Sequence, residues 1–88
     1  MTLAELALFL VARGFIVHPR TWSMGETLLV THERLRGEAH GVVTFSDIVY
    51  VRKEPHGAWT YTNEFGGDAE VPGVPELLEV LTRRLQGR

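Results

Sequence analysis

Short runs of alternating apolar and polar residues fill the middle of the chain, from Thr27 to Thr62. The runs TLLVTHERL, AHGVVTF, DIVYVRK and AWTYT follow one another, and residues typical of turns separate them. This pattern predicts antiparallel strands joined by short connections. An earlier apolar run, Phe15 to His18, is ended by Pro19, which cannot donate to a central ladder, so we expect an edge strand there. The segment from Arg20 to Gly25 is predicted to be a loop.

A helical pattern precedes the strands. Thr2 and Glu5 match a capping box, in which each side chain binds the backbone N–H of the other residue. The helix is predicted to end near Arg13, because Gly14 suits the left-handed conformation that closes many helices. Five residues at helical spacing form its predicted inward stripe: Leu3, Leu6, Ala7, Leu10 and Val11.

A second helix is predicted after the strands. Pro75 suits its first turn, where the missing N–H costs nothing. Its apolar residues at helical spacing are Val74, Leu77, Leu78, Leu81 and Leu85. The stretch from Asn63 to Gly73, rich in glycine and acid, is predicted to be a loop. We therefore predict one α+β domain over residues 1–88, an antiparallel β-meander of four to five strands with the N- and C-terminal helices packed on one face.

The turns predict which side chains share a face of the sheet. With turns at Arg36-Gly37, Ser46-Asp47 and Glu54–Gly57, Arg52 lies opposite Trp59 and Tyr50 lies opposite Tyr61. A slip of one residue in any turn would invert a strand. The predicted core face holds Leu28, Val30, Val43, Phe45, Ile48, Tyr50, Trp59 and Tyr61. The predicted outer face is a stripe of threonines with three valines among them: Val42, Val49 and Val51.

Five apolar residues are candidates for contact with a protein partner. The strip of Val42, Val49 and Val51 on the outer face would stay in water in a two-layer domain, and exposed apolar patches usually mark an interface. Trp22 lies in a polar loop with no obvious core role, and Phe9 lies on the outer side of its helix between two charged residues. The alternatives are that the 63–73 loop covers the valines, that Trp22 tucks under the sheet edge, and that Phe9 is a singly exposed side chain.

Composition narrows the classes of function. The chain has 88 residues, a net charge of −2 with both signs interspersed, and no cysteine. This distribution of charge predicts no basic patch that would attract nucleic acid or an acidic membrane. Without cysteine, neither disulfides nor thiolate metal sites can form. The apolar segment at residues 3–12 is shorter than the roughly 20 residues needed to span a bilayer, and it lacks the basic start of a signal peptide. We expect a cytoplasmic protein.

Residues that could carry chemistry do not form a recognisable motif. The four histidines, His18, His32, His40 and His56, lack metal-binding spacing, and the predicted register points His32 and His40 to opposite faces. Neither serine lies in a nucleophile elbow. The acidic residues Glu64, Asp68 and Glu70 could hold a cation through oxygen ligands, but they match no calcium-loop pattern. We predict no catalytic residue, no cofactor and no metal.

The sequence thus favours a small non-catalytic protein-interaction module of the regulator, inhibitor or immunity type. It would bind a protein partner or itself, for example as a homodimer, through the open sheet face or an edge strand. A small-ligand or enzymatic domain with a pocket between the sheet and the acidic loop is the alternative. Nucleic-acid binding, through Arg20, Arg34, Arg36 and Arg52, ranks third, and we expect no membrane contact.

Overall fold

The computed structural model describes residues 1–23, 25–32, 48–63 and 65–86. In chain order the elements are α1 (Leu3–Val11), β1 (Phe15–Trp22), β2 (Gly25–His32), β3 (Val49–Lys53), β4 (Trp59–Thr62), β5 (Asp68–Val71) and α2 (Val74–Leu85). The five strands lie in the sheet in the same order as in the chain, and every neighbouring pair is antiparallel. The predicted α+β meander between two helices is confirmed.

Both ends of α1 follow from local sequence. The Thr2 hydroxyl accepts from the backbone N–H of Glu5 at 3.1 Å, and the Glu5 carboxylate accepts from the backbone N–H of Thr2 at 2.7 Å. These are the two bonds of the predicted capping box. After the helix, Gly14 has φ +94°, which side-chain-bearing residues rarely adopt, so glycine is needed to turn the chain into β1.

The C-terminal helix α2 is amphipathic in the predicted manner. Pro75 lies in its first turn, and Arg83 and Arg84 lie in its last turn, where they complement the helix dipole. The Arg84 side chain also donates to the backbone carbonyl of Thr62 at 2.6 Å, which ties α2 to β4. Leu77, Leu81 and Leu85 are fully buried.

Both helices cover the same face of the sheet. One cluster of buried side chains joins α1, α2 and the strands: Leu6, Leu10, Phe15, Leu28, Val30, Val49, Val51, Trp59, Leu77, Leu81 and Leu85. Burial of such side chains stabilises the fold by roughly 1.5–3 kcal/mol each before entropic costs. The opposite face, which we call the open face, carries no helix within the described residues.

The predicted register of β3 against β4 is wrong by one residue. Lys53, not Arg52, lies opposite Trp59, and Val51, not Tyr50, lies opposite Tyr61. The connection therefore holds one residue more than predicted, closed by a bond from the Glu54 backbone N–H to the Ala58 carbonyl at 2.9 Å. Because side chains alternate along a strand, this slip turns Val51 and Val49 into the core and Tyr50 out of it.

The strand boundaries also correct the prediction in two places. β1 is an edge strand, as predicted, but it continues through Pro19 to Trp22 instead of ending at the proline. Within the predicted 63–73 loop, Asp68–Val71 forms β5 and pairs with β4. The predicted strand at residues 39–45, with its two hairpin turns, lies outside the described residues. No helix in the described part of the chain has the length and apolar character needed to cross a membrane.

Candidate interaction surface on the open sheet face

The strand register arranges the open face in transverse rows. Arg20 pairs with Thr27, and Arg52 pairs with Thr60, which pairs in turn with Glu70. The pairs Leu28–Val51 and Leu29–Tyr50 place Thr27 and Arg52 side by side on the neighbouring strands β2 and β3. A second row crosses the sheet through His18, Leu29, Tyr50, Thr62 and Asp68. The strand register pairs His18 with Leu29, Leu29 with Tyr50, and Thr62 with Asp68. Tyr50 and Thr62 are joined by a hydrogen bond, in which the Thr62 hydroxyl accepts from the Tyr50 backbone N–H at 3.0 Å.

A shallow groove lies where the first row meets the connection between β1 and β2. It has a volume of about 440 Å³ and is lined by Trp22, Ser23, Gly25, Thr27, Tyr50 and Arg52. Its wall is mostly apolar, with an aromatic side chain from each of two strands and a guanidinium group beside them. We call this feature the Trp22 groove.

Trp22 projects into solvent, and its neighbour on β2 has no side chain to cover it. It pairs with Gly25, which has φ +122° and no atom within 4 Å of where a Cβ would be. The indole is 52% exposed, which is unusual for a tryptophan. The alternative that Trp22 packs under the sheet edge is therefore wrong. The exposure of Trp22 agrees with the other interpretation, in which this side chain is available to contact a protein partner.

A carboxylate fixes the polar wall of the groove. The Nε of Arg52 donates to Oε2 of Glu54 at 3.0 Å, and the hydroxyl of Thr60 donates to the same oxygen at 2.5 Å. The Thr60 hydrogen bond, followed by the one from Arg52, holds the pKa of Glu54 below its ordinary value of 4.5. Thr60 is buried, so its hydroxyl serves to position Glu54, and through it Arg52, at the edge of the groove.

Charge on the open face is separated by sign. His18 and Arg20 lie exposed on β1 and Arg52 lies half-buried on β3 beside Glu54, whereas Asp68 and Glu70 lie exposed on β5 at the far edge. The Trp22 groove is on the basic side. A ligand group with negative charge is therefore favoured at the groove and disfavoured at β5.

The structure separates the predicted interaction residues. Val49 and Val51 are 0% exposed in the core, so their placement on the open face is wrong. Phe9 is partly buried against the core, with the Arg13 guanidinium carbon 3.7 Å from its ring centroid. Val42 lies outside the described residues. Of the five, Trp22 has the exposure that a direct contact requires.

Sequence reasoning missed two sets of residues. The sequence pattern predicts Tyr50 in the core, but Tyr50 lines the groove as a consequence of the one-residue slip. On α1, Leu8 is 74% exposed and Val11 is 53% exposed, although Val11 was predicted to face inward. The near absence of charge in α1 was the available signal, because an apolar helix that is not fully buried must show apolar side chains to water.

Of the three acidic residues predicted to lie in one loop, Asp68 and Glu70 lie on β5, and Glu64 lies outside the described residues. Nε2 of His56 lies 3.1 Å from Oε2 of Glu70, with both side chains more than half exposed. Among the described residues, no group of three or more His, Asp or Glu side chains is arranged to hold a metal ion.

Comparison with known proteins adds no assignment. No protein-family model matches the chain, and neither the curated proteins nor the solved structures provide a match.

Proposed function

We propose that this chain is a small protein-interaction module that binds its partner at the Trp22 groove. The partner contributes an extended segment with an apolar side chain for the aromatic wall and a carboxylate for the basic side. The observation that carries this proposal is the 52% exposure of Trp22 beside Tyr50 and Arg52 in one concavity. Trp, Tyr and Arg are the residue types most enriched where interfaces concentrate their binding energy.

The surrounding geometry supports the open face over the strand edge as the binding surface. Pro19 lies within the edge strand β1 and has no backbone N–H to offer an added strand. Arg52 lines the groove from β3, and Arg20 lies exposed on β1, on the other side of β2. A carboxylate on the partner would meet Arg20 on one side and the Arg52 guanidinium, which also binds Glu54, on the other, while the exposed indole would be covered.

The test begins with the tagged chain expressed at its natural level, followed by identification of bound proteins and calorimetry with the purified partner. We expect Trp22→Ala to weaken binding by about 2 kcal/mol, roughly 30-fold, because it removes a buried aromatic anchor. Arg20→Glu should weaken it too, and more at low ionic strength than at high. Both side chains are exposed, so circular dichroism should be unchanged.

Matched control variants are available elsewhere on the surface. Phe65 is 90% exposed in the connection between β4 and β5, and Arg83 is exposed on α2. Phe65→Ala and Arg83→Glu should leave the affinity unchanged. If the partner binds Trp22→Ala and Arg20→Glu as tightly as the unaltered chain, the groove is not its site.

A small ligand is the second candidate, favoured by the groove's volume. About 440 Å³ falls within the roughly 300–1,000 Å³ typical of ligand pockets. The ligand would be a small aromatic or aliphatic carboxylate. A panel of such acids should then raise the melting temperature of the unaltered chain and not of Trp22→Ala, whereas a protein-binding groove predicts no shift with any of them.

A further inference from the structure

The outer side of α1 is a second apolar surface, separate from the Trp22 groove. Four residues within the helix are exposed, and three of them are apolar: Ala4, Leu8 and Val11, with Glu5 the charged one. Ala12, the C-cap residue, has helical backbone angles and is exposed as well. Leu8 is 74% exposed, the second-highest value among the described large apolar side chains. We call Ala4, Leu8, Val11 and Ala12 the α1 stripe.

Three residues of the α1 stripe, Ala4, Leu8 and Ala12, are arranged symmetrically about Leu8 along the helix, and Val11 lies beside them on one flank. Ala4 and Ala12 each lie four residues from Leu8, which places them about 40° to either side of it at 3.6 residues per turn. When two copies of α1 lie antiparallel about a twofold axis at Leu8, Leu8 meets its own copy. Each Ala4 then faces the partner's Ala12. The small alanines allow the two helices to approach closely around the central leucines.

The charges beside the stripe also match under this symmetry. Glu5 lies on one flank of Leu8, and Arg13 lies beyond the helix end on the same flank, over the ring of Phe9. The twofold axis places this flank on the same side of the helix pair in both copies, but the flank of one copy runs in the opposite direction to that of the other. Each Glu5 is thereby brought close to the partner's Arg13, so the contact contains two pairs of opposite charge. In a parallel arrangement the twofold axis would place the two copies of this flank on opposite sides of the helix pair, so Glu5 and the partner's Arg13 would not meet.

We infer that a second copy of this chain covers the α1 stripe, forming an antiparallel, twofold-symmetric dimer through α1. The same patch serves both protomers, so the contact closes on itself and does not propagate into a fibre. One helix provides a small interface, below the roughly 1,200 Å² of total area that is typical of stable complexes. The dimer therefore dissociates in the micromolar range, and the Trp22 groove remains open on each protomer.

Sedimentation equilibrium up to about 0.5 mM tests the assembly, because micromolar affinity makes both species measurable. We expect a monomer–dimer equilibrium. Leu8→Glu should raise the dissociation constant at least about 10-fold, by burying like charges at the axis. Arg13→Glu should raise it several-fold, and Arg83→Glu, on the exposed surface of α2, should not change it. A strict monomer at the highest concentration, or a dimer indifferent to Leu8→Glu, overturns the inference.

Cysteine cross-linking tests the antiparallel geometry, since the chain has no cysteine of its own. Leu8→Cys should form a disulfide dimer under mild oxidation, because only Cα atoms within about 7 Å can be bridged. Phe65→Cys is the exposed control and should cross-link only slowly. Mixed Ala4→Cys and Ala12→Cys chains should cross-link to each other faster than either does to itself. Self-linking of Ala4→Cys at the rate of Leu8→Cys indicates a parallel pair and contradicts the proposal.

Discussion

The hydroxyl of Thr60 donates to Oε2 of Glu54 over 2.5 Å, from a side chain that is only 6% exposed. Thr60 lies opposite Arg52 in the register of β3 and β4, and Arg52 binds the same carboxylate oxygen. Two neighbouring strands thus share one acceptor at the end of the sheet. This contact links the hydroxyl stripe seen in the sequence to a definite role, the positioning of a charged group beside the Trp22 groove.

The first prediction concerns acid stability. The folded pKa of Glu54 lies below 4.5, so its contribution to stability is present above the unfolded pKa and is lost as pH falls through the folded value. Thr60→Val removes the largest cause of that shift and moves the folded pKa back toward 4.5. We expect the variant to be less stable than the unaltered chain at pH 7, with the difference shrinking below about pH 4.

Urea unfolding at intervals from pH 2 to pH 7 measures this effect. Thr62→Val is a useful control, because it removes a hydroxyl of the same strand that accepts from the Tyr50 backbone N–H, so its effect on stability should not follow the titration of Glu54. The difference in stability between Thr60→Val and the unaltered chain could instead stay constant across the whole pH range. In that case, the loss of stability comes from altered packing or hydroxyl solvation and not from the titration of Glu54.

The second prediction concerns the reassigned valines. Val51 is fully buried beneath the helices, so Val51→Ala should lower the free energy of unfolding by about 2 kcal/mol, the loss of two CH₂-sized groups plus a small cavity. Val51→Lys should prevent stable folding, because it places an unpaired charge in the core. Thermal unfolding followed by circular dichroism measures both.

Val11 supplies the matched comparison, since it is 53% exposed. Val11→Lys should retain a melting temperature close to that of the unaltered chain when measured at a concentration where the chain is monomeric. If Val51→Lys folds as well as Val11→Lys does, the inward orientation of β3 is wrong.

The third prediction concerns the free edge of the sheet. β1 is eight residues long and forms one edge among the described strands, a length that invites pairing with another chain. Pro19 interrupts its row of donors. Pro19→Thr restores a backbone N–H at this edge, and we expect it to increase association beyond the dimer at high concentration. Sedimentation velocity in the Leu8→Glu background separates this association from pairing through α1.

Thr21→Val, two residues further along β1, adds no backbone donor and serves as the control. It should sediment like the Leu8→Glu parent chain. Equal association by Pro19→Thr and Thr21→Val would show that the missing donor at Pro19 does not limit strand pairing.

Local signals in the sequence determined where each helix begins, the turn after α1, the edge position of β1 and the α+β meander. The Thr2–Glu5 capping box, Gly14 and Pro75 each act through bonds or backbone angles within a few residues, so reading them requires no knowledge of the remaining chain. β5 escaped prediction because it is four residues long and half of it is acidic, so its alternation resembles a solvated loop.

Tertiary packing alone decided which face of β3 is buried, and with it the candidate site. β3 has apolar residues on both faces, so alternation is satisfied whether Val49 and Val51 or Tyr50 point inward. The compact valines fit beneath the leucines of the two helices. Tyr50 on that face would have required a buried partner for its hydroxyl. One additional residue in the connection from Glu54 to Ala58 allows the register in which the valines face the core. No short-range signal in the sequence distinguishes this longer connection from the shorter turn.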